Sequence, residues 1–377
     1  MTAPAHWFVS VGELSGDVLA ADLVHQIKIQ HPSIQFSGII GPAMAKEGVS
    51  PIGRMDELNV MGTIEVIKKL AAIKILKNRI LEFIDRHHIR VAILVDFAGF
   101  HIKLAEELKM RGIRVIQYVA PKLWAWGEKR ITKLRMNVDL LLATFPFEQT
   151  FFQERGVNCH YVGCPIAERT ADIHVSKEEL GFAKDQVLIA LLPGSRGQEV
   201  RRLLGPMLAI AEEVKRHLPS AQFIIPIASS LQDSASQEWF ASFGKKHVHF
   251  AQRNSLEVMS AADVALVASG TATLECALVM TPLVVIYSMN PLTYCLAKKY
   301  VKVAWASLVN ILRAKSVVRE FLQDFEYKDV AEELLTLVNS SPKKGAMLQE
   351  FASLRQDLSL PTRPNALDHI NQLLNLN

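Results

Sequence analysis

The sequence predicts an α/β fold: two doubly wound domains, with helices at the C-terminal end. Three observations carry the α/β reading. Short β-branched runs alternate with helical stretches, an order that implies parallel strands covered on both faces. The alternation lapses once, in the polar stretch "AERTADIHVSKEEL" (167–180), and then restarts. The 377 residues, 50% hydrophobic and 21% charged, suffice for two separate cores.

The first half carries strand patterns at Phe8–Val11, Ile34–Ile40, Val91–Val95, Val115–Tyr118, Leu140–Ala143 and His160–Val162, with a helix such as Phe100–Met110 between most of them. The second half repeats the pattern at Val187–Leu192, Phe223–Pro226, Val248–Phe250, Val264–Ala268 and Leu283–Ile286. The expected domains are 1–168 and 175–344. Helices from about 345 to 377 are candidates to pack back on the first.

Charge narrows the function. A formal +4 and a pI near 8.8 form a mild basic excess, compatible with a phosphorylated ligand or a lipid surface and too weak for a nucleic-acid protein. The four cysteines (159, 164, 276, 295) show no C-x-x-C or zinc spacing, so reduced thiols in the cytoplasm are expected. The N-terminus lacks a basic n-region, which argues against a signal peptide. The uncharged stretch 276–297 could span a bilayer by length, but Pro282, Asn290 and Pro291 divide it into a helix end, a buried strand and a helix start.

Several strand ends run into turns that could carry chemistry. "VSVGELSGDVLAADL" (9–23) is a strand, a glycine turn and a helix start, but it follows neither the dinucleotide nor the P-loop spacing, and Glu13 and Asp17 make it acidic. "VLIALLPGSRGQEV" (187–200) breaks at Gly194, which lets backbone approach a ligand. Ser195 can cap the next helix, and Arg196 adds a fixed positive charge where a helix N-terminus already favours anions. A diphosphate suits it; an ordinary turn with a surface arginine is the plain alternative. "DVALVASGTATLECAL" (263–278) repeats the design with Ser269, Gly270 and Thr271, and sets Glu275 one helical turn further on, within reach of a ribose.

Asp96 ends the apolar run "VAILV" at the carboxyl end of a central strand, where a carboxylate is either a general base or a helix cap. "YVAPKLWAWGEKR" (118–130) places Trp124 and Trp126 beside Lys122, Lys129 and Arg130, suited to a sugar phosphate or to core packing. In 61–84, Leu70, Ile73, Ile80 and Ile84 share a helical face, with Ile67 and Ile75 outside it and lysines interleaved. This reads either as an interfacial membrane segment or as a buried helix with snorkelling lysines.

"GELSGD", "GPAM", "ELNVMGTIEV", "YVAPKLWAW", "PFE", "LLPGSRGQEV", "ASGTATLE" and "SLVNIL" together resemble the lipid-A-disaccharide synthase family, in its order and spacing, from about residue 8 to 325. The resemblance implies a GT-B glycosyltransferase, two Rossmann-like doubly wound domains facing a central cleft, that joins UDP-2,3-diacylglucosamine to 2,3-diacylglucosamine 1-phosphate, forms a β-1,6 disaccharide with inversion and releases UDP. It implies a peripheral protein on the cytoplasmic face of a Gram-negative inner membrane, with no nucleic-acid partner and a homodimer as one candidate assembly.

By resemblance Asp96 is the base, with Glu13 and Arg196 beside it in catalysis. Ser15, Gly16, Asp17, Trp124, Trp126 and Arg130 are expected on the acceptor side. Gly194, Ser195, Glu199, Ser269, Gly270, Thr271, Glu275 and Asn310 are expected around the nucleotide. No cofactor or metal is implied, and the chain has no D-x-D metal clamp. It departs from the family in three places: D-x-P-x-F-N reads "DFAGFH", with Ala98 and His101; S-L-P-N has Val309; G-H-P has Cys164. His101 is titratable and a candidate to share the acid–base role. Two other readings keep the nucleotide half: a UDP-N-acetylglucosamine epimerase-like enzyme, and a UDP-sugar-binding relative without turnover. A dehydrogenase is disfavoured because the dinucleotide fingerprint is missing.

Overall fold

The computed structural model describes residues 5–58, 66–195, 197–227, 239–240, 242–243, 247–290, 294, 301, 303–339, 341–359 and 364–376. The chain divides into two compact units, Met1–Gly163 with Pro361–Asn377, and Cys164–Leu360.

The first unit is built on β1 (His6–Val11), β2 (Gln35–Ile40), β3 (Ser50–Arg54), β4 (Val91–Val95), β5 (Arg114–Tyr118), β6 (Leu140–Ala143) and β7 (Cys159–Tyr161). They pair in parallel in the order β3-β2-β1-β4-β5-β6-β7. Strands this apolar must be covered on both faces, and they are: one layer packs around Phe8, Ile80, Leu104 and Phe152, the other around Val9, Val24, Ile27 and Ile93. The second unit repeats the plan with β8 (Leu188–Leu192), β9 (Gln222–Pro226), β10 (Val248–Ala251), β11 (Val264–Ala268), β12 (Leu283–Tyr287) and β13 (Glu320–Leu322), in the order β10-β9-β8-β11-β12-β13. In both sheets the strand order reverses beside the first strand, between β1 and β4 and between β8 and β11. Doubly wound sheets bind ligands at the carboxyl ends of such a pair.

Two strands lack an apolar run long enough to read as a strand. β3 carries Pro51, tolerated on an edge, and β13 is only three residues long at the other sheet's edge. The C-terminal helices separate. Helix Pro342–Ser359 belongs to the second unit, which corrects the expectation that the whole 345–377 stretch returns to the first. Only Ala366–Leu374 does, burying Leu367 and Ile370 in the first unit's core.

Helix Val66–Arg86 buries Leu76, Ile80, Leu81 and Ile84 and leaves Ile75 68% exposed. Its second half is therefore core. Residues 61–65 and the side chains of Ile67, Lys68, Lys69 and Leu70 lie outside the described set. In 276–297 the helix ends at Leu278 and β12 follows; most of the expected helix start after Pro291 lies outside the described residues. Among the described residues no helix is long and apolar enough to cross a membrane.

Candidate active site

In the first unit the switch point is formed by the turns after β1 and β4. Asp96 and Phe97 follow β4 with φ of 54° and 47°, and Val119 follows β5 with φ of 69°. Left-handed backbone costs a non-glycine residue about 1–3 kcal/mol, so three such residues together require a surrounding structure that holds them. Three groups do so. Asp96 N–H donates to the Tyr118 carbonyl at 2.9 Å. Gln117 Nε2 donates to the Asp96 carbonyl at 3.2 Å and lies 3.4–3.5 Å from the Tyr118 and Val119 carbonyls. His101 Nδ1 meets the Asp96 carbonyl at 2.7 Å.

A carbonyl only accepts, so Nδ1 of His101 carries the proton, and Nε2 accepts from the Ser10 hydroxyl 2.9 Å away on β1. The ring is fully buried, and burial pushes its pKa down to about 4 against the opposing Asp96 bond. His101 is thus neutral and enclosed with both nitrogens engaged, which overturns its expected share in acid–base chemistry. The Asp96 backbone is held from below while Asp96 itself is only partly buried.

Glu13, half-buried, stands at the N-cap position of helix Leu14–Gln30, and Ser15 is exposed. Gly12 lies under the Phe97 ring: a Cβ there would be 2.2 Å from Phe97 Cγ. Gly16 is buried against Asp96, whose Cβ would be 3.7 Å from an added methyl. Asp17 is a correction. Its buried carboxylate accepts from the N–H groups of Gly41 (2.9 Å), Ala43 (2.7 Å) and Met44 (3.3 Å), capping the short helix Pro42–Lys46 from outside. It builds the turn and is too enclosed to touch a sugar.

In the tryptophan loop, Trp124 Nε1 donates to buried Glu148 Oε1 at 3.0 Å, and its ring meets Phe147 edge-on. Trp124 is therefore an anchor of the loop, and the core alternative is the one realised. Trp126 is 53% exposed, with the Arg130 guanidinium 4.4 Å from its ring centroid, so this pair remains available.

In the second unit, Gly194 lies in the turn after β8 with φ of 112°, and a Cβ there would meet Glu199 Oε2 at 2.8 Å. Only glycine suits this turn. Ser195 is exposed; Arg196 lies outside the described residues. After β11, Ser269 Oγ donates to the Ala306 carbonyl (2.8 Å) and Thr273 Oγ1 to the Gly270 carbonyl (2.8 Å). Gly270 has open space above it and Thr271 is exposed, so the N-terminus of helix Thr271–Leu278 is open to an anion.

One turn on, Glu275 is largely enclosed and its pKa is raised by burial, opposed by Arg169, whose Nη2 is 3.3 Å from Oε1. Asn310 is the second correction. Fully buried, its Oδ1 accepts from Val317 and Val318 N–H, and its Nδ2 donates to the Val318 carbonyl and Glu320. That satisfies the whole amide. Asn310 fastens the 306–320 segment that receives Ser269, and no group is left for a nucleotide.

The family model of lipid-A-disaccharide synthetase matches residues 7–363. The chain belongs to the lipid-A-disaccharide synthase family. It is 37% identical to the lipid-A-disaccharide synthase of Serratia proteamaculans over 353 residues, covering 92% of each chain, and 36% identical to that of Myxococcus xanthus over 359 residues, covering 94% of each. Among solved structures it resembles the glycotransferase of kitacinnamycin (TM-score 0.64, 14% identity, 98% of this chain and 99% of that one). It also resembles the Neisseria meningitidis UDP-GlcNAc 2-epimerase (TM-score 0.60, 10% identity, 94% and 98%). At such identities these two report the fold alone.

As a member of the lipid-A-disaccharide synthase family the chain is a UDP-sugar glycosyltransferase of lipid A biosynthesis. Two of its departures from the family pattern, Ala98 and Val309, fall where proline is replaceable. Ala98 is the first residue of helix Ala98–Met110, and Val309 the second of Leu308–Arg313. Proline is tolerated in a first turn because those N–H groups lack intrahelical partners, so another residue there disturbs no ladder. Cys164, buried, stands at the N-cap position of helix Pro165–Thr170. The sequence reading missed Ser10, Gln117 and Arg169. Ser10 and Gln117 are polar residues inside apolar strands, a detectable signal; Arg169 sat in a stretch read as linker.

Proposed function

We propose that the chain transfers diacylglucosamine from UDP to the 6-hydroxyl of 2,3-diacylglucosamine 1-phosphate, giving the β-1,6 disaccharide 1-phosphate and UDP by a single inverting displacement. The acceptor O6 bonds to the donor anomeric carbon as the bond to the UDP oxygen breaks. The O6 proton passes to the Asp96 carboxylate, and the electron pair leaves with UDP. The observation that carries the reading is the Asp96 turn: a strained carboxylate-bearing turn at the switch point of the first sheet, held by buried hydrogen bonds.

Glu13, Ser15, Gly16, Trp126 and Arg130 serve the acceptor side. In the second unit Gly194, Ser195, Glu199, Gly270 and Thr271 hold the diphosphate, Ser269 supports that turn, Arg196 offsets the departing charge, and Glu275 accepts from the ribose hydroxyls. Exposed Ile75 beside Lys74, with the mild basic excess, supports peripheral binding to the cytoplasmic face of the inner membrane.

A two-substrate assay with both acylated sugars tests this. UDP is expected only when both are present. Asp96→Ala is expected to lose about 10²–10⁴-fold in kcat with UDP affinity intact, the usual contribution of a positioned base. Product formed without acceptor would favour epimerisation; Asp96→Ala at full rate would remove the base assignment.

A further inference from the structure

We propose that His101 is a positioning residue for the transfer: as a buried Nδ1–H donor, braced by Ser10, it locks the left-handed Asp96–Phe97 turn and so aims the Asp96 carboxylate. This rests on the reading of Asp96 as the base. The turn has no intrinsic reason to persist, since both residues lie in backbone space that L-residues avoid. His101 grips it twice. Its backbone N–H donates to the Phe97 carbonyl at 3.2 Å, and its ring N–H donates to the Asp96 carbonyl at 2.7 Å.

The other ring nitrogen accepts from Ser10 on β1, so the ring cannot rotate without losing a second bond. β1 and β4 are paired directly, with Ser10 opposite Leu94, so the brace reaches from one side of the switch point to the turn on the other. The ring is fully buried and packs against Phe97 and Phe100, with centroids 6.1 and 5.7 Å away. An asparagine side chain, which the family pattern carries here, also offers an N–H donor and an acceptor, so two residue types supply one function.

The experiment compares His101→Leu, His101→Asn and Asp96→Ala in the full chain. His101→Leu is expected to lower kcat roughly 10²-fold, the cost of a misplaced reacting group, with the KM of both sugars and UDP affinity within about 3-fold. His101→Asn is expected to restore kcat to within about 10-fold of the parent. Added to Asp96→Ala, His101→Leu should cost nothing further, because the group it aims is gone. A folded His101→Leu with the parent's kcat overturns the proposal while Asp96→Ala remains inactive; an active Asp96→Ala overturns the base reading instead. Should His101→Leu fail to fold, Ser10→Ala loosens the same ring and is expected to lower kcat about 3- to 10-fold at unchanged KM. An unchanged kcat there counts equally against it.

Discussion

Arg169 Nη2 lies 3.3 Å from Glu275 Oε1, joining the short helix after Cys164 to the helix that follows β11. Burial raises the Glu275 pKa and Arg169 opposes that rise. Removing the guanidinium leaves burial unopposed, so the carboxyl takes up a proton at higher pH than in the parent. A protonated carboxyl is a poorer acceptor for ribose hydroxyls. Arg169→Gln is therefore expected to weaken UDP binding, with a deficit that is small where Glu275 is ionised in both proteins and widens as pH falls, towards a limit of roughly tenfold for each pH unit by which the pKa climbs. Calorimetry with UDP at two pH values checks this; a deficit independent of pH would detach Arg169 from Glu275 ionisation.

Asp17 makes the opposite prediction, a loss of stability with the nucleotide site untouched. Its carboxylate satisfies three N–H groups at a helix start that has no other cap described. Asp17→Ala strands buried donors and is expected to cost about 3 kcal/mol, with an earlier urea midpoint. UDP binding by the folded fraction should be unchanged. An unaltered midpoint with weakened substrate binding would return Asp17 to the ligand site.

These two carboxylates show what the sequence could convey. The strands that form the core of each sheet were legible because buried parallel strands are continuous apolar runs, and the turns at both switch points followed from where those runs end. Edge strands β3 and β13 were not, since an edge needs little apolar surface and can hold a Pro51. Asp17 and Asn310 were placed in the site because motif membership does not say which way a side chain points. Asp17 turned out to satisfy backbone N–H groups from Gly41 to Met44, and Asn310 those of Val317 and Val318 together with the Val318 carbonyl and the Glu320 carboxylate. His101 reversed for the same reason: its titratable ring suggests proton transfer, but burial beneath Asp96 leaves it a neutral donor.

Glu148 predicts how the stability of the first unit depends on pH. Its side chain is buried; burial raises its pKa to about 7, against bonds from Trp124 and the Phe145 and Thr144 backbone that favour the charged form. The folded state therefore holds a proton that the unfolded chain releases near 4.5. The resulting stabilisation is full below 4.5 and is lost as pH rises through about 7, a span worth about 3 kcal/mol at 1.36 kcal/mol per unit. Urea midpoints across this range should fall for the parent and lack that component in Glu148→Gln, whatever the variant's absolute stability. Parallel slopes in both proteins would show that Glu148 is charged throughout.

Gly12 links the acidic turn to the Asp96 turn through a single steric contact. The Phe97 ring occupies the space where a side chain at residue 12 would begin, 2.2 Å from its Cγ and 2.5 Å from its Cδ2. Phe97 cannot easily yield, since its own φ of 47° belongs to the turn that carries Asp96. Gly12→Ala must push the ring aside, costing about 1–3 kcal/mol as an overpacked contact. The displacement passes directly to the residue before Phe97, so kcat is expected to fall roughly 10²-fold while UDP affinity, which the proposed function assigns to the second unit, stays at the parent's value. Gly16→Ala gives the contrast in stability: its methyl would meet Asp96 Cβ at 3.7 Å, an ordinary contact, inside a helix where alanine is favoured by about 0.5–1 kcal/mol. Thermal midpoints should therefore move in opposite directions for the two glycines. If Gly12→Ala matched the parent in both midpoint and kcat, the packing of Phe97 on Gly12 would have no part in holding Asp96.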